Sequence, residues 1–175
     1  MTTLKKEPKQ FYEAIQVQNF EQVFHAPDIS LSLIKKETGT EFLRSFLTLI
    51  ISDVVEFFSV GKSMNEKQIL QTSDLIAEEY YYFKPEDFKL CFNRAKKGRY
   101  GKQYDRLDGG VIFEWLQLYS QERSERAWEI NTQSHEVLKK ELAESRGTET
   151  NLMNLSETER EDARYHHYLE KSKLK

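Results

Sequence analysis

The segment "EFLRSFLTLIISDVVEFFSV", residues 41 to 60, constrains this chain more than any other. Phe42, Leu43, Phe46, Leu47, Leu49, Ile50, Val54, Phe57 and Phe58 cover more than one face of a helix, so that helix must be packed on several sides. Its longest uncharged run, 45 to 52, is far shorter than the roughly 20 residues that cross a bilayer, and Glu41, Arg44, Asp53 and Glu56 interrupt it. The segment therefore reads as the central helix of a water-soluble core. Thr40 is its expected N-cap and Gly61 its expected stop.

The rest of the chain is built to surround such a helix with others. With only 3 Pro and 7 Gly in 175 residues, and Glu, Lys, Leu and Gln plentiful, it favours helix, because straight side chains lose little freedom there. Residues 1 to 8 are expected to be disordered, and Pro8 to open a weak helix through "KQFYEAIQVQNF". A short helix should follow Asp28 as its cap. "SMNE", 63 to 66, reads as a capping box between Ser63 and Glu66. The next helix carries Ile69, Leu70, Leu75, Ile76 and Tyr80.

Pro85 starts a helix marked at both ends. Glu86 and Asp87 occupy the first turn, where the dipole favours acids. Phe88, Cys91, Phe92 and Ala95 form its apolar stripe, and Gly98 stops it. Asp108 then caps a long helix that is apolar through Val111, Ile112, Trp115, Leu116 and Tyr119 and thins to charge beyond residue 120. "GTETN", 147 to 151, reads as a linker, with Ser156 and Glu159 boxing a short polar terminal helix. The fold class is all-α: a multi-helix domain over 9–120, a charged helical arm over 121–146, and a tail over 147–175.

Charge placement carries what the sequence says of function. Between residues 84 and 106 eight Lys and Arg face three Asp and Glu, a local net of +5 in a chain of −3. Lys96 and Lys97 suit the end of a helix, which the macrodipole makes negative. That does not account for Arg99, Lys102 and Arg106 in the loop. Contact with nucleic-acid phosphates does, with Arg94, Lys96, Lys97, Arg99, Lys102 and Arg106 supplying charge and Tyr100 or Tyr104 a stacking face. Pairing of the same cations with an acidic helix, or with an acidic partner surface, is the rival reading. Gly98 and Gly101 allow positive φ and a loop whose backbone N–H groups are exposed to an anion.

Motifs for catalysis are wanting. "GRYGK" follows a helix rather than a strand, unlike a nucleotide-binding loop. "LDGG" lacks the alternating acids of a calcium loop. His166 and His167 are adjacent, so only one of them can pair with Glu170 on a helix face. Cys91, the one cysteine, sits between core residues and reads as packing. The expectation is a binding protein with no cofactor and no metal, cytoplasmic and away from membranes. Trp128 and Ile130, apolar in "QERSERAWEINTQ", are its expected contacts with a protein partner or a second copy.

The run "DLIAEEYYYFKPEDFKLCFNRAKKGRYGKQYDRLDGGVIFEWLQLY", 74 to 119, resembles a group of small proteins encoded by phages and mobile elements of gut anaerobes. Their pattern places "DF", "CF", "AK", "G", "YGK", "YDR" and "D" in this order before "IFEWL". By distant analogy, small helical phage proteins of this kind serve replication as helicase loaders or replisome organisers, which implies DNA or RNA and a replicative helicase as partners. An inhibitor, adaptor or virion assembly component is the alternative role.

Overall fold

The protein's fold was read from a computed structural model that describes residues 7–58, 60–101 and 106–142 in full, the helical backbone of 143–153, and Ser156. It is all-α. The helices are α1 (Pro8–Ala14), α2 (Phe20–His25), α3 (Leu31–Thr38), α4 (Thr40–Phe57), α5 (Glu66–Glu79), α6 (Pro85–Lys96) and α7 (Gly109–Met153). No strand occurs among the described residues; Lys62 and Arg106 form one isolated parallel bridge, in which Leu107 N–H donates to Lys62 C=O at 2.9 Å. No helix of the described residues is long and apolar enough to cross a membrane.

Helix α4 is central, touching α1, α3, α5 and α6. Leu43, Phe46, Leu47, Ile50, Ile51 and Val54 are buried along it, each apolar side chain worth about 1.5–3 kcal/mol of transfer free energy. Phe11 and Tyr12 of α1 pack on Phe46 with ring centroids 5.4 and 6.2 Å away. Phe46→Ala would empty this junction and cost about 3–5 kcal/mol.

Several helix ends differ from expectation, each for a local reason. The helix expected over 9–20 breaks at Ala14, and Ile15–Gln18 runs without helix before α2. In that segment Ile15 and Val17 are buried while Gln16 and Gln18 are exposed, a period of two that the β-branched pair prefers. Asn19 then opens α2 by accepting from Gln22 N–H at 2.9 Å. Ser30, not Asp28, caps α3 through Leu33 N–H. The turn before α6 completes that end, since Leu31 and Ser32 N–H donate to Phe83 and Tyr81 C=O at 2.9 Å.

Thr40 is the first residue of α4 rather than its cap. Gly39, at φ 90°, closes α3 through its N–H and opens α4 through its C=O, a double duty that its backbone freedom permits. Helix α4 ends at Phe57, ahead of Gly61, where Phe58 turns extended and packs tilted against Trp115 with ring centroids 5.4 Å apart. The box at the start of α5 is Asn65 with Gln68, two residues later than Ser63 and Glu66. Leu70 and Leu75 are exposed on α5, whereas Ile69, Ile76 and Tyr80 are buried.

Helix α6 starts at Pro85 and stops before Gly98, whose φ is 76°, as the sequence indicates. Phe88, Cys91, Phe92 and Ala95 are all buried. Asp108 caps α7, accepting from Val111 N–H at 3.1 Å. Helix α7 passes through 147–151, where a linker was expected: a lone Gly147 costs a helix only about 1 kcal/mol and no proline follows it. The box expected at Ser156 and Glu159, the pair His166 and His167, and the first six residues lie outside the described residues. The chain divides between Ser124 and Glu125 into two units.

Candidate nucleic-acid interface

The basic segment begins on a rigid support. Buried Phe88 and Phe92 hold α6, and Ile112, Trp115 and Leu116 hold the start of α7. Between them the chain turns tightly: Gly98 N–H donates to Ala95 C=O at 2.8 Å, Arg99 N–H to Arg94 C=O at 3.0 Å and Gly101 N–H to Gly98 C=O at 3.3 Å. Gly98 and Gly101 do take positive φ, 76° and 97°. The N–H groups of Gly98, Arg99 and Gly101 are thus spent on the turn itself and are not offered to an anion, contrary to expectation.

The cations divide into two sets. Arg94 is largely covered, hydrogen-bonded through Nη1 to Glu122 of α7, with its guanidinium 4.2 Å from the Phe20 ring centroid. Lys96 donates to Asp53 of α4 at 2.6 Å and lies 5.1 Å from the Phe57 ring centroid. For these two, pairing with acidic helices is what the fold does. Lys97 and Arg99 are exposed. Arg99 Nε lies 3.5 Å from Glu122 and Arg106 Nε 3.5 Å from Asp108, exposed pairs of the kind worth at most about 1 kcal/mol. Lys102 and Tyr104 lie outside the described residues.

Tyr100 cannot serve as a stacking face. It is buried beside Cys91 and Glu122, and burial pushes its phenol well above the ordinary value. The aromatic that is presented is Phe57, 55% exposed at the end of α4. It edges a groove of about 820 Å³ between the Ile15–Gln18 segment and α6. Lys89, Arg94, Lys96 and Lys97 line the α6 side, Leu90 lies between, and Gln16 and Gln18 line the other. Lys89 Nζ sits 3.9 Å over the Tyr12 ring centroid, and partial burial pulls its pKa down. An arriving anion would reverse that and hold it charged.

Phe57 was expected in the α4 core and is instead exposed here, Lys89 was counted in the basic cluster but not among the expected site residues, and Gln16 and Gln18 were not singled out at all. The alternation Ile-Gln-Val-Gln was the available signal for the far wall. Among the described residues no group of three His, Cys, Asp or Glu side chains could hold a metal ion.

The second unit presents apolar side chains of its own. Trp128 is 69% exposed; Val137, Leu138 and Leu142 are exposed and Ile130 is half-buried. At about 100° per residue, Trp128, Asn131, His135, Leu138 and Leu142 share one stripe, whereas Ile130 and Val137 fall on the other side of the helix. Glu125, Arg126, Glu129, Glu136 and Lys140 lie on that other side with Ile130 and Val137, where Arg126 and Glu129 pair at 2.8 Å, and Lys139 stands next to Trp128. Comparison with family models, with curated proteins and with solved structures gives no match.

Proposed function

We propose that this protein is a non-enzymatic accessory factor that binds nucleic acid through α6 and the loop after it and a protein partner through the apolar face of α7 beyond Ser124. The observation that carries the reading is the groove in which Lys89, Arg94, Lys96 and Lys97 line one wall, with Lys97 and Arg99 exposed beside it. Each phosphate neutralised there releases counterions, which makes binding favourable at low salt and steeply salt-dependent. Together with the resemblance to phage and mobile-element proteins, this supports a role in replication, with the Trp128 face meeting a replicative helicase or another replication protein.

A second reading rests on a specific contact. Arg94 and Lys96 already hold carboxylates, those of Glu122 and Asp53, so the same surface suits an acidic protein. The test is fluorescence anisotropy of a labelled oligonucleotide on the full chain at low salt, with polyphosphate and polyglutamate as competitors. Nucleic-acid binding predicts a measurable complex displaced by polyphosphate and lost in Lys97→Glu with Arg99→Glu, at unchanged helical content and melting. No binding to any nucleic acid at low salt refutes it in favour of the acidic partner.

A further inference from the structure

We infer that the groove between Ile15–Gln18 and α6 takes a single strand of nucleic acid, with an unpaired base against Phe57, rather than a duplex. The inference rests on the nucleic-acid reading and adds to it the form of the ligand.

Three observations point there. The first is shape. A cleft of about 820 Å³ falls within the roughly 300–1,000 Å³ that encloses a small ligand, which suits a nucleotide or two. A duplex keeps its bases stacked inside and would offer this cleft only a ridge of phosphates. The second is the chemistry of the two walls. Lys89 and Lys97 stand on the α6 wall for phosphates, with Lys96 held by Asp53 beside them, while Gln16 and Gln18 opposite and Asn93 on α6 bring side-chain amides, which donate and accept as base edges require. Amides contribute little to binding phosphates alone. They suit a ligand whose bases are open.

The third is Phe57 itself. A phenylalanine exposed at the end of the most apolar helix is costly to leave in water, yet it is Phe58, its neighbour, that turns inward onto Trp115. Phe57 meets Phe58 edge-on at 5.1 Å, and Lys96 Nζ is 5.1 Å from its centroid. Such an assembly pairs an aromatic surface with a cation within reach of the adjoining phosphate, the combination that single-strand sites use without regard to sequence. Tyr100, in the basic loop, is buried, so among the described residues Phe57 is the ring that lines this groove.

The experiment compares oligo(dT) with a duplex of equal length on the full chain at low salt. Wild type should bind the single strand more tightly. Phe57→Ala should weaken oligo(dT) binding roughly 5- to 100-fold, the range expected for one lost stack, and leave duplex binding unchanged. Phe57→Tyr should retain it, which keeps the test valid if the alanine variant folds poorly. Gln16→Glu with Gln18→Glu, on the opposite wall, should weaken oligo(dT) binding as well. Equal affinity for both forms, or Phe57→Ala at wild-type affinity, overturns the single-strand inference and leaves the nucleic-acid reading standing. Binding to neither form overturns both.

Discussion

Arg123 Nε donates to Asp87 Oδ1 at 2.8 Å, although that carboxylate is wholly buried. Tyr119 Oη donates to the same oxygen at 2.8 Å and Lys84 N–H to the other at 2.9 Å. A buried charge is tolerated only when it is paired and its lone pairs are satisfied, and Asp87 meets both conditions. It thereby joins the start of α6 to α7.

Removing the carboxylate strands its partners. Asp87→Ala leaves the partly covered Arg123 guanidinium, the Tyr119 hydroxyl and the N–H of Lys84, the residue before α6, without this acceptor. The expected loss is about 3–5 kcal/mol, read as a lower urea midpoint at unchanged slope. Arg123→Ala should cost a comparable amount, and the double variant less than the sum, because both act through one pair.

Glu86, next to Asp87, is expected to behave in the opposite sense. Its Oε2 is buried with no hydrogen-bond partner among the described residues, and burial raises its pKa against the opposing pull of Lys84. A carboxyl raised in the folded state favours folding at low pH, and that contribution is lost as pH climbs through the raised value. Glu86→Gln should therefore melt higher than wild type at pH 7. The difference should shrink as pH falls below about 4.3, the ordinary value for Glu, where Glu86 is protonated in both the folded and the unfolded chain. Thermal unfolding across pH 4 to 8 checks it.

Cys91 offers a probe of the core. The thiol is fully buried, its Sγ 3.6 Å from Trp115 C=O, and burial pushes it well above the ordinary thiol range. A thiol reagent should label it slowly in the native protein and rapidly in denaturant. Fast native labelling would show that the α6–α7 packing opens readily.

Trp128→Ala should separate association from stability. Surface substitutions change folding by about 0.5 kcal/mol or less, whereas truncating an interface anchor costs roughly 2 kcal/mol or more, about 30-fold in affinity. Sedimentation and partner pull-down should fall while the melting temperature holds. A large drop in melting temperature at unchanged association would make Trp128 part of the folded core.

What could be read from the sequence follows from how local each signal is. Proline and acids at the start of α6, and the glycine at its end, act within one turn, and both ends of that helix fall as expected. The core of α4 was legible because its apolar residues cover more than one face of the helix. Its end was not: whether Phe57 or Phe58 turns inward depends on Trp115, distant in sequence. The helix starts at Ser30 and Asn65 were chosen over competing caps, Asp28 and Ser63, and at Ser30 the carbonyls of Tyr81 and Phe83 take the next N–H groups. For the candidate site, the cluster of cations was plain, but not which of them the fold would use. Arg94 and Lys96 find their carboxylates on α7 and α4, and Tyr100 finds the interior, through contacts that no local pattern encodes.

Glu122 and Arg123 are neighbours in the chain, so their side chains leave α7 about 100° apart. One meets Arg94 near the end of α6 and the other Asp87 near its start. Rotating α7 about its own axis by one residue would carry Glu122 toward Asp87 in one sense, or Arg123 toward Arg94 in the other, and either sets like charges against each other in a poorly hydrated seam. Two adjacent residues of opposite sign thus serve as a key that fits in one angular position, and they fix the rotational setting of the first turns of α7 against α6.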